Sequence, residues 1–197
     1  MAAGRRLFAE RGFRATSTED IVRAAGLSRG ALYHHFADKT ELFGAVLEVV
    51  EADLMARLID RIDISDPARA IREGVPAFLD ACLHPEVSRI ALLEAPSVLG
   101  WQRWREVDAR YGLGMVAAGV QAAMDVGDLP RQPVAPLAHT LFGSLTEAAM
   151  YMAHADDPVS ARTELEPALQ ALLNGLLTNP EPTQGGRPRR GKGRANS

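Results

Sequence analysis

Residues 17–36 read Ser17-Thr18-Glu19-Asp20-Ile21-Val22-Arg23-Ala24-Ala25-Gly26-Leu27-Ser28-Arg29-Gly30-Ala31-Leu32-Tyr33-His34-His35-Phe36, two short helical patterns broken at Gly26-Leu27-Ser28. Thr16 and Ser17 are N-cap candidates for a helix from Thr18 to Ala25, because a side-chain oxygen there accepts a hydrogen bond from a free backbone N–H. Gly26 ends that helix, and Ser28 caps a second one running through Phe36. The glycine permits a tight turn, Ala25 lets the helices approach, and Ile21, Leu27 and Leu32 are expected to fill the small core between them. A pair of this kind can present its second helix to the major groove, whose width admits an α-helix. The outward positions are then Arg29, Gly30, Tyr33 and His34, with Ser28 at the helix start. Thr16, Ser17 and Thr18 at one helix N-terminus, Tyr33, and Lys39 at another are suited to phosphates, since free N–H groups and the helix dipole favour anions there.

Outward from this pair, apolar residues recur at three- and four-residue spacing and alternating β-branched runs are absent, so the expected class is all-α. Residues 1 to 12 predict a helix closed by Gly12, with Leu7 and Phe8 inward. Asp38 with Glu41 three residues later predicts the start of a long helix whose apolar face is Leu42, Val46, Val49, Val50, Leu54 and Leu58. Prolines then mark helix starts, where a missing N–H costs nothing. Asp66-Pro67 opens a helix to about Leu83, with a kink expected at Pro76. His84-Pro85 opens another to about Ala95-Pro96. Residues from about Gly100 to Val126 read as a long helix stopped by Gly127, and two more follow, roughly Val134 to Ala153 and Val159 to Leu177. From Pro180 the chain turns to Pro, Gly and Arg without apolar anchors, which predicts a disordered basic tail over 180–197 carrying Arg187, Arg189, Arg190, Lys192 and Arg194.

Composition narrows the function classes. With 47% hydrophobic and 24% charged residues the chain is that of a globular protein, and no apolar run reaches the length of a membrane span. The expected compartment is the cytoplasm, with no membrane partner. A single cysteine, Cys82, rules out an internal disulfide and a cysteine-based zinc site, and reads as a small core residue. The adjacent His34 and His35 point in different directions on a helix, which argues against a metal, and no cofactor is expected. A formal net charge of -3 leaves any DNA contact to local basic groups. There is no nucleophile with base spacing, no phosphate loop and no metal cluster, so an all-α enzyme is the disfavoured alternative. An architectural DNA binder without an effector is another, disfavoured because dimerisation alone needs only the last two helices.

The stretch from Gly12-Phe13-Arg14-Ala15-Thr16-Ser17 through Ile21, then Ala24 to Phe36, and Asp38-Lys39-Thr40-Glu41-Leu42-Phe43 closely resembles the DNA-binding domain of TetR-family regulators. The resemblance implies a helix-turn-helix domain over 1–46, a helical effector-binding and dimerisation domain over 47–179, a homodimer joined by its last two helices, and a palindromic double-stranded DNA operator released by a small molecule. It also implies groove-facing roles for Arg29, Gly30 and His34, and phosphate roles for Tyr33, Thr16, Ser17 and Lys39. The family's domain ordinarily begins one to two helical turns earlier with a basic arm, so the chain is expected to start inside its first helix.

For the effector, Phe78, Trp101, Trp104, Tyr111, Phe142 and Tyr151 are the candidate pocket residues, since aromatic side chains suit apolar ligands, and they serve equally as plain core. Gly112, Gly114 and Gly119 reduce side-chain filling along their helix, which with Pro76 favours a cavity near Phe78, Trp101 and Trp104. Glu94, Arg103, Arg105, Glu106, Asp108 and Arg110 form a charged run expected mostly on a solvated face. One buried member would be placed to hold a polar ligand group; the sequence leaves open which.

Overall fold

The computed structural model describes residues 1–177, which fold into helices with no strand among them. The basic tail expected over 180–197 lies outside the described residues. In chain order the helices are α1 (Ala2–Ala15), α2 (Thr18–Ala25), α3 (Arg29–His35), α4 (Lys39–Ile59), α5 (Pro67–Cys82), a π-helical segment (Val87–Glu94), α6 (Ala95–Leu99), α7 (Trp101–Val126), α8 (Val134–His154) and α9 (Pro158–Leu176). No described helix is long and apolar enough to cross a membrane.

Local chemistry sets most boundaries. Helical φ/ψ in α1 stop at Gly12, at φ 82° and ψ 169°, after which Phe13–Ala15 add one further turn. Asp38 caps α4 by accepting the Glu41 N–H at 2.8 Å, while the Glu41 carboxylate reaches back to the Ala37 N–H at 2.5 Å. Asp66 caps α5 with Pro67 in its first turn, and Asp157 does the same for α9 with Pro158. Helix α5 runs continuously through Pro76, where the sequence reading expects a kink. A π-helical irregularity falls at 87–94, where the Ala95 N–H bonds the Ile90 carbonyl, an i→i−5 step. Pro96 explains it: the ring has no N–H to donate and crowds the carbonyl four residues back, and a π turn relieves both.

One core runs from the N-terminal helices into the body. Leu7, Phe8, Leu42, Phe43, Val46, Leu47, Ile90, Ala95 and Trp104 are all buried in it. Phe8 and Phe13 both meet the Phe43 ring edge-on, at centroid distances of 5.2 and 5.3 Å, an arrangement the ring quadrupoles favour. Val49, predicted on the inner face of α4, is instead partly exposed. Polar ties reinforce the junction. Arg5 pairs with Asp53 on α4 and with Glu86 at 2.6 Å. Arg89 donates to the Glu10 carbonyl at 2.8 Å, and the Glu94 carboxylate accepts the Phe13 N–H at 2.7 Å. The π-helical segment thus grips the end of α1 through backbone groups that α1 leaves unpaired.

Candidate nucleic-acid interface and ligand cavity

The α2–turn–α3 unit is specified by its caps. The Ser17 side chain accepts the Asp20 N–H at 3.1 Å and the Asp20 carboxylate accepts the Ser17 N–H at 3.2 Å, a reciprocal box that starts α2. At its other end Gly26 takes φ 66° and ψ 28°, and the Leu27 N–H closes back on the Val22 carbonyl at 2.9 Å. That is a Schellman closure, which needs a left-handed residue and so favours glycine. Ser28 then caps α3 by accepting the Ala31 N–H at 3.1 Å. Ile21 and Leu32 are buried between the helices as expected, whereas Leu27 is 54% exposed. The Schellman turn carries Leu27 around the outside of the corner, and Ala25 is exposed as well.

The predicted contact residues separate into two groups. Ser28, Arg29, Gly30, Tyr33 and His34 all stand exposed on α3. Arg29 pairs with Glu19 of α2 at 2.9 Å and its guanidinium lies 5.5 Å from the Tyr33 ring centre. The Tyr33 phenol is held below its ordinary pKa, first by a hydrogen bond with Thr18 and then by Arg29. Thr18 and Ser17 are half-buried beside it. Thr16 and Lys39 are placed differently. Thr16 is fully buried, its hydroxyl donating to the Gly12 carbonyl at 2.7 Å, which removes that side chain from any surface contact. The Lys39 ammonium donates to the carbonyls of Phe13 at 2.8 Å and Thr16 at 2.9 Å, and sits 4.1 Å from the Phe13 ring centre. Two of its three donors therefore hold the α1–α2 corner onto the start of α4.

A cavity of about 410 Å³ opens between α4, α5, α7, α8 and α9. Its wall is almost wholly apolar and includes Met55, Ile59, Phe78, Met115, Phe142 and Leu145. Of the candidate effector residues, Phe78 and Phe142 line it; Trp101, Trp104, Tyr111 and Tyr151 do not. Trp101 is 62% exposed and Tyr151 also faces outward. Trp104 is buried in the main core, its indole N–H without a hydrogen-bond partner among the described residues. Tyr111 packs half-buried on that same core. Two of the three flagged glycines are on the wall, Gly112 and Gly119, while Gly114 is not. Gly112 is required by close approach: a Cβ there would stand 2.6 Å from the Phe142 ring.

Two polar residues inside this domain, Glu51 and Thr146, escaped the sequence reading, and Asp108 is an inward-turned member of the charged run named there. Glu51, Asp108 and Thr146 surround a second, smaller hollow of about 30 Å³ adjoining the first. Asp108, expected on a solvated face, is turned inward and bonded to Arg105, and burial raises its carboxyl to about 6 despite that partner. Burial, with Asp108 adding to it, raises Glu51 to about 8. Glu51 was legible in principle, because it stands four residues after Leu47 and three before Leu54, within the buried stripe of α4. Cys82 is buried as expected, and burial pushes its thiol pKa up. Neither histidine of the adjacent pair on α3 joins a metal-binding cluster among the described residues.

Residues 1–46 match the family described as bacterial regulatory proteins of the tetR family, and residues 68–176 match the tetracyclin repressor-like C-terminal domain. A solved TetR-family transcriptional regulator from Pectobacterium atrosepticum superposes with a TM-score of 0.81 at 34% identity, covering 91% of this chain and 92% of that one. The transposon Tn10 TetC protein of Escherichia coli is 26% identical over 127 residues, 64% of each chain. The HTH-type transcriptional repressor KstR2 of Mycobacterium tuberculosis is 47% identical over 79 residues, 40% of each. The chain thus spans under two thirds of the length of either curated relative. A capped helix-turn-helix packed on a helical body with an internal cavity, matched to one family along both parts, makes this chain a member of the TetR family of transcriptional regulators.

Proposed function

We propose that this chain is a DNA-binding repressor that acts as a homodimer on a palindromic operator and lets go when a small molecule enters the apolar cavity. The observation that carries the reading is the outer face of α3. Its side chains at 28, 29, 33 and 34 are exposed, and a Cβ added at position 30 would meet nothing beyond its own helix backbone closer than Ser28 Oγ at 4.0 Å. A capped helix with a bare, polar, glycine-containing face fits the floor of a major groove. A gel shift on the DNA upstream of its own gene, with unrelated DNA as competitor, tests it. Arg29→Ala is expected to reduce the preference for operator over competitor, since its guanidinium stands on the groove side. Lys39→Ala is expected to weaken both DNAs about equally, because it loosens the corner that presents α2 and α3. Equal loss of preference in both variants would overturn this division of roles.

Dimerisation draws support from the outer faces of α8 and α9. Ala168, Ala171 and Gly175 lie exposed on one stretch of α9, and Leu172 between them, which also borders the cavity, is 61% exposed. Positions 143 and 175 are glycines with open space above them, which lets a second pair of helices come close. Leu172→Glu is expected to give monomers in sedimentation and to lose operator binding, since each monomer holds one half-site. A wild-type chain that is monomeric at micromolar concentration yet binds its operator tightly would remove the dimer from the mechanism.

A further inference from the structure

Beside the apolar cavity lies a small hollow whose lining includes the carboxylic residues Glu51 and Asp108. Glu51 of α4 is 5% exposed and forms no hydrogen bond or ion pair with the described residues, and it lines the 30 Å³ hollow. Met55, Phe78, Gly112 and Phe142 line both that hollow and the 410 Å³ cavity, so the two share a wall. The other groups facing Glu51 can be named element by element. Asp108 on α7 is engaged by Arg105 and by the Thr146 hydroxyl of α8 at 3.4 Å; Cys82 on α5 contributes a buried thiol; the π-helical segment contributes only Val87, Ala91 and Leu92. A buried carboxyl with open lone pairs is costly unless something donates to it. The hollow has room for a group the size of a water or an ammonium, for which about 15 Å³ suffices.

We propose that this hollow is the head-group subsite of the effector cavity and receives a protonated amine, so that the effector is an apolar molecule ending in a basic nitrogen. This rests on the reading of the larger cavity as the effector site. Charge balance favours it: Arg105 already answers Asp108, and one added cation answers Glu51. An acidic head group would bring a further carboxyl beside Asp108 and Glu51, with the one guanidinium already engaged, so fatty acids and other carboxylates are expected to bind more weakly. Apolar tails of drug-like size match the almost wholly apolar main cavity.

A consequence follows for protons. With burial holding Glu51 at about 8, the empty site is mostly protonated at pH 7, and a bound ammonium requires the carboxylate. Each cation bound at pH 7 therefore releases about one proton to solvent. Affinity for the cation rises as pH climbs toward the Glu51 value and levels off above it, because the ionised fraction then no longer grows.

Calorimetric titration of the full chain with decylammonium, decanol and decanoate, below their aggregation limits, tests this at pH 7 and pH 8.5. Decylammonium is expected to bind about tenfold or more tightly than decanol, as a charged hydrogen bond allows, with decanoate weakest. Titrations in buffers of different ionisation enthalpy should report the released proton. Glu51→Gln, close in shape and neutral like the empty site, should erase the decylammonium advantage and the proton release while leaving decanol unchanged. If decanol or decanoate binds as well as decylammonium and Glu51→Gln changes nothing, the amine subsite is wrong and the effector cavity stands. If none of the three binds, the cavity reading falls as well.

Discussion

Gly30→Leu is expected to abolish operator binding while leaving the protein at least as stable as before. The position lies in the first turn of α3, on its exposed face, and an added Cβ would have Ser28 Oγ at 4.0 Å as its nearest contact beyond the helix backbone. A side chain there meets nothing inside the protein, and leucine's better helix propensity adds up to about 1 kcal/mol. Against DNA the same side chain has to fit between the helix and the base edges. Lifting α3 off the groove floor breaks several contacts worth about 1–3 kcal/mol each, which amounts to more than about a hundredfold in affinity. Thermal melts and a gel shift on the same preparation separate the two effects. A variant that folds and binds within about threefold of wild type, less than 1 kcal/mol, would show that this face is not the one that reads DNA.

Gly12→Ala is expected to be the most damaging small substitution in the N-terminal unit. Gly12 adopts φ 82° and ψ 169°, a region essentially reserved for glycine, where a side chain costs about 1–3 kcal/mol in backbone strain. A Cβ there would also collide with the Glu94 carboxylate that accepts the Phe13 N–H. Displacing that carboxylate removes a charged hydrogen bond worth about 1.5–3 kcal/mol. Together the two effects take about 2.5–6 kcal/mol from a total stability of order 5–15 kcal/mol. Gly26→Ala is the control. Its φ is also positive, at 66°, but nothing lies within 4 Å of the added carbon, so only the left-handed penalty of about 1–2 kcal/mol applies. Urea unfolding followed by far-UV circular dichroism measures both. Equal losses for the two variants would mean that the Glu94 contact contributes nothing at the α1 corner.

Residue periodicity and caps alone carried the all-α class and the position of the α2–turn–α3 unit, because Ser17, Gly26 and Ser28 act on neighbours within three to five residues. Such local chemistry is written in sequence order. The resemblance to TetR-family regulators rested on that same stretch and was met along both parts of the chain. Gly112 and Gly119 likewise pointed toward the cavity, since missing side chains leave space wherever a helix is packed. What the sequence alone did not determine was which way a side chain faces once helices distant in the chain meet. Trp101 and Trp104 share one helix, yet one is solvent-exposed and the other is core, decided by how α7 packs against α4 and its other neighbours. Thr16 and Lys39 carried the chemistry of phosphate contacts, but tertiary packing turned their donors onto carbonyls of the α1 corner. Glu51 and Asp108 come from helices far apart in sequence and face one hollow only because α4, α5, α7 and α8 converge there. Burial of a charge is a property of everything packed around it, and so it was decided by the tertiary structure.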